Sequence, residues 1–295
     1  MSVRPAALLL ALVAAVTTAG ARADAAPGSV LWSVRGPQNV VYLFGSIHAL
    51  RPDDARLPDA AVAAYGEAEQ LVMEIDLDDP TLTDPAVMAT QMRLAAQLPD
   101  GQSLRSVLGE DYPGIAARAA RDGLDLPALD RFAPWFVATL MLQVEIARQG
   151  FTTEHGVEQQ FVDRALADRK PILGLETPAE QFAVLASLSL PDQKRFLLKT
   201  LEDSAGAQAR LEQLLLAWRT GDTATLASEL SEEFEAFPEL YRPLTEDRNR
   251  AWVERLVALL AGPDDYLVVV GALHLVGRNS VVDLLRQRGY AVTRH

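Results

Sequence analysis

Apolar residues recur along this chain in two registers. Residues 31–34, 40–44 and 266–270 are short uncharged runs rich in β-branched side chains, the pattern of buried strands. The first two flank Arg35-Gly36-Pro37-Gln38-Asn39 and predict a β-hairpin with a Gly-Pro loop. Further strands are predicted at 70–77, ended by Asp78-Asp79-Pro80, at 171–176, between Arg169-Lys170 and Thr177-Pro178, and at 290–293. Elsewhere the apolar spacing is helical. It predicts a helix at 57–68 with Pro58 near its start, then helices at 85–97, 112–123, 134–149, 157–168, 178–188, 192–204 and 208–220. Trp252, Val253, Leu256, Leu259 and Leu260 mark a helix over 246–260, stopped by Gly262-Pro263-Asp264-Asp265, and a last helix falls at 279–288. The pattern predicts an α/β (α+β) fold. A small mixed β-sheet is built from both ends of one domain, residues 27–295, with a large helical insertion at about 84–245.

The first residues do not belong to that pattern. Arg4 precedes an apolar stretch at 5–19, too short and alanine-rich for a membrane span. Ala21-Arg22-Ala23 is an A-x-A cleavage site, with Ala23-Asp24-Ala25 as a second option, so residues 1–23 read as a secretory signal peptide. The expected location is periplasmic or secreted, with no stable membrane insertion after cleavage. The chain has no cysteine, which excludes a lipid anchor and disulfides, so the core alone must stabilise it. About 270 residues suffice for that. Arg4 and Arg22 fall in the leader, leaving 25 basic residues against 40 acidic ones, a formal charge of −15. Nucleic acids and anionic membranes need dense basic patches, so neither is an expected partner. A small-molecule or peptide substrate remains.

Candidate chemistry sits at the predicted strand ends. Gly45-Ser46-Ile47-His48 follows one buried run and Gly271-Ala272-Leu273-His274 another, and the chain has only four histidines. Each glycine is expected to let the backbone turn as its strand ends. If the two strands are parallel, both imidazoles open at the carboxyl edge of the sheet, where open α/β folds hold ligands. Glu74 alternates against Met73 and Ile75 inside an apolar strand, and a buried carboxylate must be paired, protonated or bound to a cation. Glu176 ends the strand at 171–176 in the same way. Two imidazoles with one or two carboxylates suit a divalent transition metal. His155 begins a helix and reads as a solvated cap-region residue, Glu158 as first-turn charge or a site residue, and His295 as a disordered terminus. Arg248-Asn249-Arg250 reads as a solvated face from which Arg248 could reach an anionic substrate group. No G-x-S-x-G elbow is present.

Five blocks in order resemble the TraB/GumN family. They are Val41-Tyr42-Leu43-Phe44-Gly45-Ser46-Ile47-His48, Val72-Met73-Glu74-Ile75-Asp76, Ile172-Leu173-Gly174-Leu175-Glu176-Thr177, Asp247-Arg248-Asn249 through Trp252, and Val270-Gly271-Ala272-Leu273-His274-Leu275-Val276-Gly277. The resemblance spans almost the whole mature chain. That family is grouped with the Tiki proteases, erythromycin esterases and a haem-binding lipoprotein, which share two Gly-x-x-His blocks and an acidic residue on an α/β core. The resemblance implies that His48, Glu74 and His274 hold a divalent metal, Mn, Co or Zn. It also places Glu176, Glu158, Arg248 and Asn249 at recurring family positions, and Glu74, Glu176 and Arg248 are the expected catalytic residues. Many members carry Gly-Ala-Gly-His in the second block, where this chain has Leu273. The expected function is a secreted metal-dependent hydrolase of peptide or ester-like bonds, the metal polarising a carbonyl and acidifying a bound water. The alternatives are a haem or small-ligand binder on the same fold and a catalytically inactive scaffold.

Overall fold

Leu31–Arg35 (β1) and Val40–Ser46 (β2) form the expected hairpin, with Leu31 opposite Phe44 and Arg35 opposite Val40. It belongs to a six-stranded sheet in a computed structural model that describes residues 29–76, 85–202, 207–235 and 238–295. The other strands are Gln70–Ile75 (β3), Ile172–Glu176 (β4), Tyr266–Gly271 (β5) and Val292–Arg294 (β6), and the order is β4-β3-β5-β2-β1-β6. β4, β3, β5 and β2 run parallel, while β1 pairs antiparallel with both β2 and β6. The fold is therefore α/β with a mixed sheet, as the pattern predicts. β5 comes from near the chain's end, yet it inserts between β2 and β3 and is buried at every position. That insertion brings four carboxyl ends to one edge.

Asp59–Glu67 (α1) connects β2 to β3. Between β3 and β4 lie Pro85–Ala96 (α2), Leu104–Leu108 (α3), Tyr112–Arg121 (α4), Pro134–Arg148 (α5) and Val157–Asp168 (α6). Between β4 and β5 come Pro178–Ala186 (α7), Leu190–Glu202 (α8), Ala207–Thr220 (α9), Thr223–Glu235 (α10), Pro238–Tyr241 (α11) and Arg248–Leu260 (α12). Val281–Gln287 (α13) precedes β6. Phe44, Met73, Val268, Phe161, Trp218 and Trp252 belong to a core around the sheet, while Trp135, Leu104, Ile115 and Leu197 form a second one among helices. The indole of Trp218 donates to the Gly45 carbonyl at 2.7 Å, tying α9 to the end of β2.

Three expectations change. The helix predicted at 246–260 is preceded by a π-helical stretch, Arg242–Asp247, before the regular helix begins at Arg248. His295 is anchored rather than disordered: its N–H donates to Leu31 O at 3.0 Å, its C=O accepts from Ser29 at 3.0 Å, and its ring meets Ser33 Oγ at 2.8 Å. Pairing between β6 and β1 carries the terminus with it. The strand predicted at 70–77 ends at Ile75. The segment at 1–23 expected to be a leader, Leu77 and Ser204 lie outside the described residues. Among the described residues no helix is long and apolar enough to cross a membrane.

Candidate functional site

Parallel pairing sets the edge in register, with Gly45 beside Val270 and Ser46 beside Gly271. His48 follows β2 by two residues, Glu74 is the penultimate residue of β3, Glu176 ends β4, and His274 closes a 3₁₀ turn, Ala272–His274, after β5. Arg248 and Asn249 open α12 beside them. Neither Gly45 nor Gly271 has a positive φ, so the two glycines do not serve as sharp turns. They allow close approach instead. A β-carbon on Gly45 would lie 2.5 Å from Val30 Cγ1 and 2.9 Å from Ala272 Cα. A β-carbon on Gly271 would meet His48 Nε2 at 3.3 Å, Glu74 Oε1 at 3.4 Å and His274 Cδ2 at 3.6 Å. Residues 48, 74 and 274 thus converge over one glycine, as their strand ends suggest.

The group at the centre of the cluster is a guanidinium. The Arg248 side chain is only 11% exposed, correcting the solvated-face reading; of its triplet only Arg250 is about half exposed. Its Nη2 donates to Glu74 Oε2 at 2.7 Å and to Glu176 Oε1 at 2.6 Å, and its Nε to Glu176 Oε2 at 3.1 Å. Its Nη1 donates to Leu244 O at 3.2 Å and faces His274 Nε2 at 3.2 Å. An arginine has five N–H donors, and these contacts use all of them. The expectation that Arg248 clamps a substrate anion is therefore corrected: it holds the site's own acceptors. Leu244 lies in the π-helical stretch, a deformation common at functional sites. Trp252 stacks beneath the guanidinium at 4.6 Å and donates its indole N–H to Glu176 Oε2 at 3.1 Å. Gln181 from α7 donates to Glu176 Oε1 at 3.0 Å and to Glu74 Oε2 at 3.4 Å. Glu176 lies inside this network.

Charge state follows from these partners. Burial pushes the Glu74 carboxyl up, but Arg248, the two imidazoles and the Gly271 N–H outweigh it and hold the pKa at about 2. For Glu176 burial prevails over Arg248 and raises the pKa. His274 goes the other way. Burial, then the neighbouring guanidinium, lowers its pKa to about 3. Its Nδ1 lies 2.7 Å from Asn249 Oδ1, while Asn249 Nδ2 donates to Asn279 O at 2.9 Å. An amide so oriented offers only its oxygen, so Nδ1 carries the proton and Nε2 keeps its lone pair toward Arg248.

His48 occupies the matching frame in an opposite setting. Its side chain is 26% exposed, more than those of Glu74, Glu176 and Arg248, whereas His274 is buried. Its Nδ1 pairs with Glu158 Oε1, which also accepts from Ser46 Oγ. Burial disfavours the charged ring, but the Glu158 carboxylate overrides that and raises the pKa. Glu158 is delivered because the turn before α6 packs on the chain at His48: Val157 N–H donates to Ile47 O at 3.1 Å, and a β-carbon on Gly156 would strike His48 O at 2.0 Å. His155 sits in that turn, where its carbonyl accepts from Gln160 at 2.9 Å. Ser46 and Gln181 escape sequence reasoning. Ser46 stands inside the first Gly-x-x-His block but reads as a spacer, and Gln181 is one polar position on a helix with nothing to mark it.

Among the described residues no group of three or more histidine, aspartate or glutamate side chains is placed to hold a metal ion. The expected clasp of His48, Glu74 and His274 is thus brought together but arranged around Arg248. Residues 30–294 match the TraB/PrgY/gumN family profile. The chain is 30% identical over 254 residues to YbaP, an uncharacterised protein of Escherichia coli K12, covering 83% of this chain and 87% of that one. It is 26% identical over 320 residues to the metalloprotease TIKI2 of Xenopus tropicalis, covering 90% of this chain and 59% of that one. A metalloprotease TIKI homologue of Amphimedon queenslandica is 25% identical, with 92% and 62% covered. No solved structure is significantly similar. With its five sequence blocks gathered at one sheet edge and the family profile matched from β1 to β6, this chain belongs to the TraB/PrgY/gumN family.

Proposed function

We propose that the chain is an exported hydrolase of peptide or ester bonds in which His48 moves the proton. The observation that carries this reading is the His48–Glu158 pair: an open imidazole buttressed at Nδ1 by a carboxylate, its Nε2 turned toward Glu74 over Gly271. His48 Nε2 takes a proton from water as the water oxygen bonds to the carbonyl carbon. Glu158 and the ionised Glu74 stabilise the imidazolium. The same proton then passes to the departing nitrogen or oxygen as the scissile bond breaks. The protease activity for which the TIKI relatives are named supports bond cleavage as the class. The signal-peptide pattern of residues 1–23 supports export to the periplasm or beyond.

The metalloprotease name of those relatives also supports a metal reading, which the sequence places at His48, Glu74 and His274 with Mn, Co or Zn as the ion. Their donor types suit such an ion, but their arrangement does not. Arg248 lies against His274 Nε2 and Glu74 Oε2, and Gly271 N–H takes Glu74 Oε1 at 2.8 Å. The proton chemistry therefore falls to the chain's own side chains.

Turnover of fluorogenic esters and peptides by the purified mature chain tests the reading. His48→Ala is expected to lose about 10²–10⁴-fold while keeping its melting temperature. Glu158→Gln should shift the acid limb of the rate profile to lower pH, because the carboxylate that raises the His48 pKa is gone. Full turnover in His48→Ala, or none by the wild type on either substrate class, would overturn it.

A further inference from the structure

We propose that Arg248 is the resident cation of this site, standing among Glu74, Glu176 and His274 where a divalent ion would stand, so that the folded site assembles without metal. The first argument is one of acceptors. A ligating imidazole needs a free lone pair about 2 Å from the ion, and the His274 Nε2 lone pair faces Arg248 Nη1 at 3.2 Å. His274 Nδ1 is held by Asn249, and both Glu74 oxygens are engaged, one by Arg248 and one by Gly271 N–H. Of the three expected ligands only His48, through Nε2, has an atom with no protein partner among the described residues.

The second argument is one of charge. A guanidinium that touches two carboxylates supplies the positive charge that buried carboxylates require. A divalent ion added beside it would meet a like charge at close range. The third argument is rigidity. All five donors of Arg248 are used, Trp252 stacks on its face, and its backbone starts α12 at the end of the π-helical stretch. Vacating the place means breaking all of these contacts at once.

The inference concerns the same site as the hydrolase reading, but its test needs no substrate, so each can fail alone. The mature chain, purified without a histidine tag, is titrated with cobalt(II) and followed by visible absorption and thermal melting. The wild type is expected to show no bands of coordinated cobalt and no shift in melting with cobalt or with a chelator. Arg248→Met empties the place and should bind cobalt at least about tenfold more tightly than wild type. Arg248→Lys keeps a cation and should behave as wild type. Should Arg248→Met fail to fold, the wild type and Arg248→Lys still decide. Stoichiometric cobalt bands in the wild type that vanish in His274→Ala would overturn the proposal. So would a folded Arg248→Met that binds no cobalt, because the place would then not be one a metal could take.

Discussion

Asn249 Oδ1 accepts from Nδ1 of His274 at 2.7 Å, and this contact decides which nitrogen of a buried ring carries its proton. Asn249→Ala would leave that N–H and the carbonyl of Asn279 without their partners. The expected loss is about 1–3 kcal/mol in urea unfolding. Nitrogen-15 shifts of His274 should report the Nδ1–H form in the wild type and a tautomer mixture in the variant. An unchanged ring spectrum would show that Asn249 does not set the tautomer.

His274 should also make the fold sensitive to mild acid. Its folded pKa is lowered to about 3, whereas an unfolded histidine titrates near 6.5. The unfolded chain therefore binds a proton that the folded one refuses. The stability tied to this ring is complete above about pH 6.5 and falls by about 1.4 kcal/mol per pH unit below it, until the folded ring itself titrates. His48, shifted the other way, acts above that window, where its contribution is lost as pH rises. Glu74, depressed to about 2, matters only in stronger acid. Urea melts between pH 6.5 and 5 should show a slope in the wild type that is one proton shallower in His274→Gln. Equal slopes would contradict the assignment.

Glu74→Gln keeps the side-chain volume and removes one of the two carboxylates on Arg248. Breaking a buried pair leaves an uncompensated charge, for an expected loss on the order of 3 kcal/mol. Glu176, gripped by two guanidinium donors and the Trp252 indole, keeps the arginine in place. The variant should therefore fold, and denaturant unfolding gives the figure. A change below about 0.5 kcal/mol would place Glu74 with ordinary surface residues instead.

Gly271→Ala tests the room over the second Gly-x-x-His glycine. Its new methyl would sit 3.3 Å from His48 Nε2 and 3.4 Å from Glu74 Oε1. The backbone there accepts alanine, since its φ of −49° is ordinary. Stability should fall by about 1 kcal/mol from crowding, and turnover by about tenfold or more as the His48 ring is displaced. Activity that survives intact would mean that the reacting groups do not meet at this point.

Local pattern was enough for the strands, the main helices and the strand-end positions of His48, Glu74, Glu176 and His274, because burial and backbone geometry write a short period into sequence. The same pattern showed that Glu74 sits where a charge needs a partner. It did not name Arg248 as that partner, because residues 74 and 248 lie 174 apart in the sequence and meet only in the tertiary fold. Nor did it tell the two histidines apart. Gly45-Ser46-Ile47-His48 and Gly271-Ala272-Leu273-His274 read as equivalents, yet one ring meets a carboxylate from α6 and the other a guanidinium from α12. Sequence spacing fixes where a side chain leaves the backbone. Its protonation depends on the charges that face it, and here the tertiary fold supplies those from segments more than a hundred residues away for His48 and from a neighbouring helix for His274.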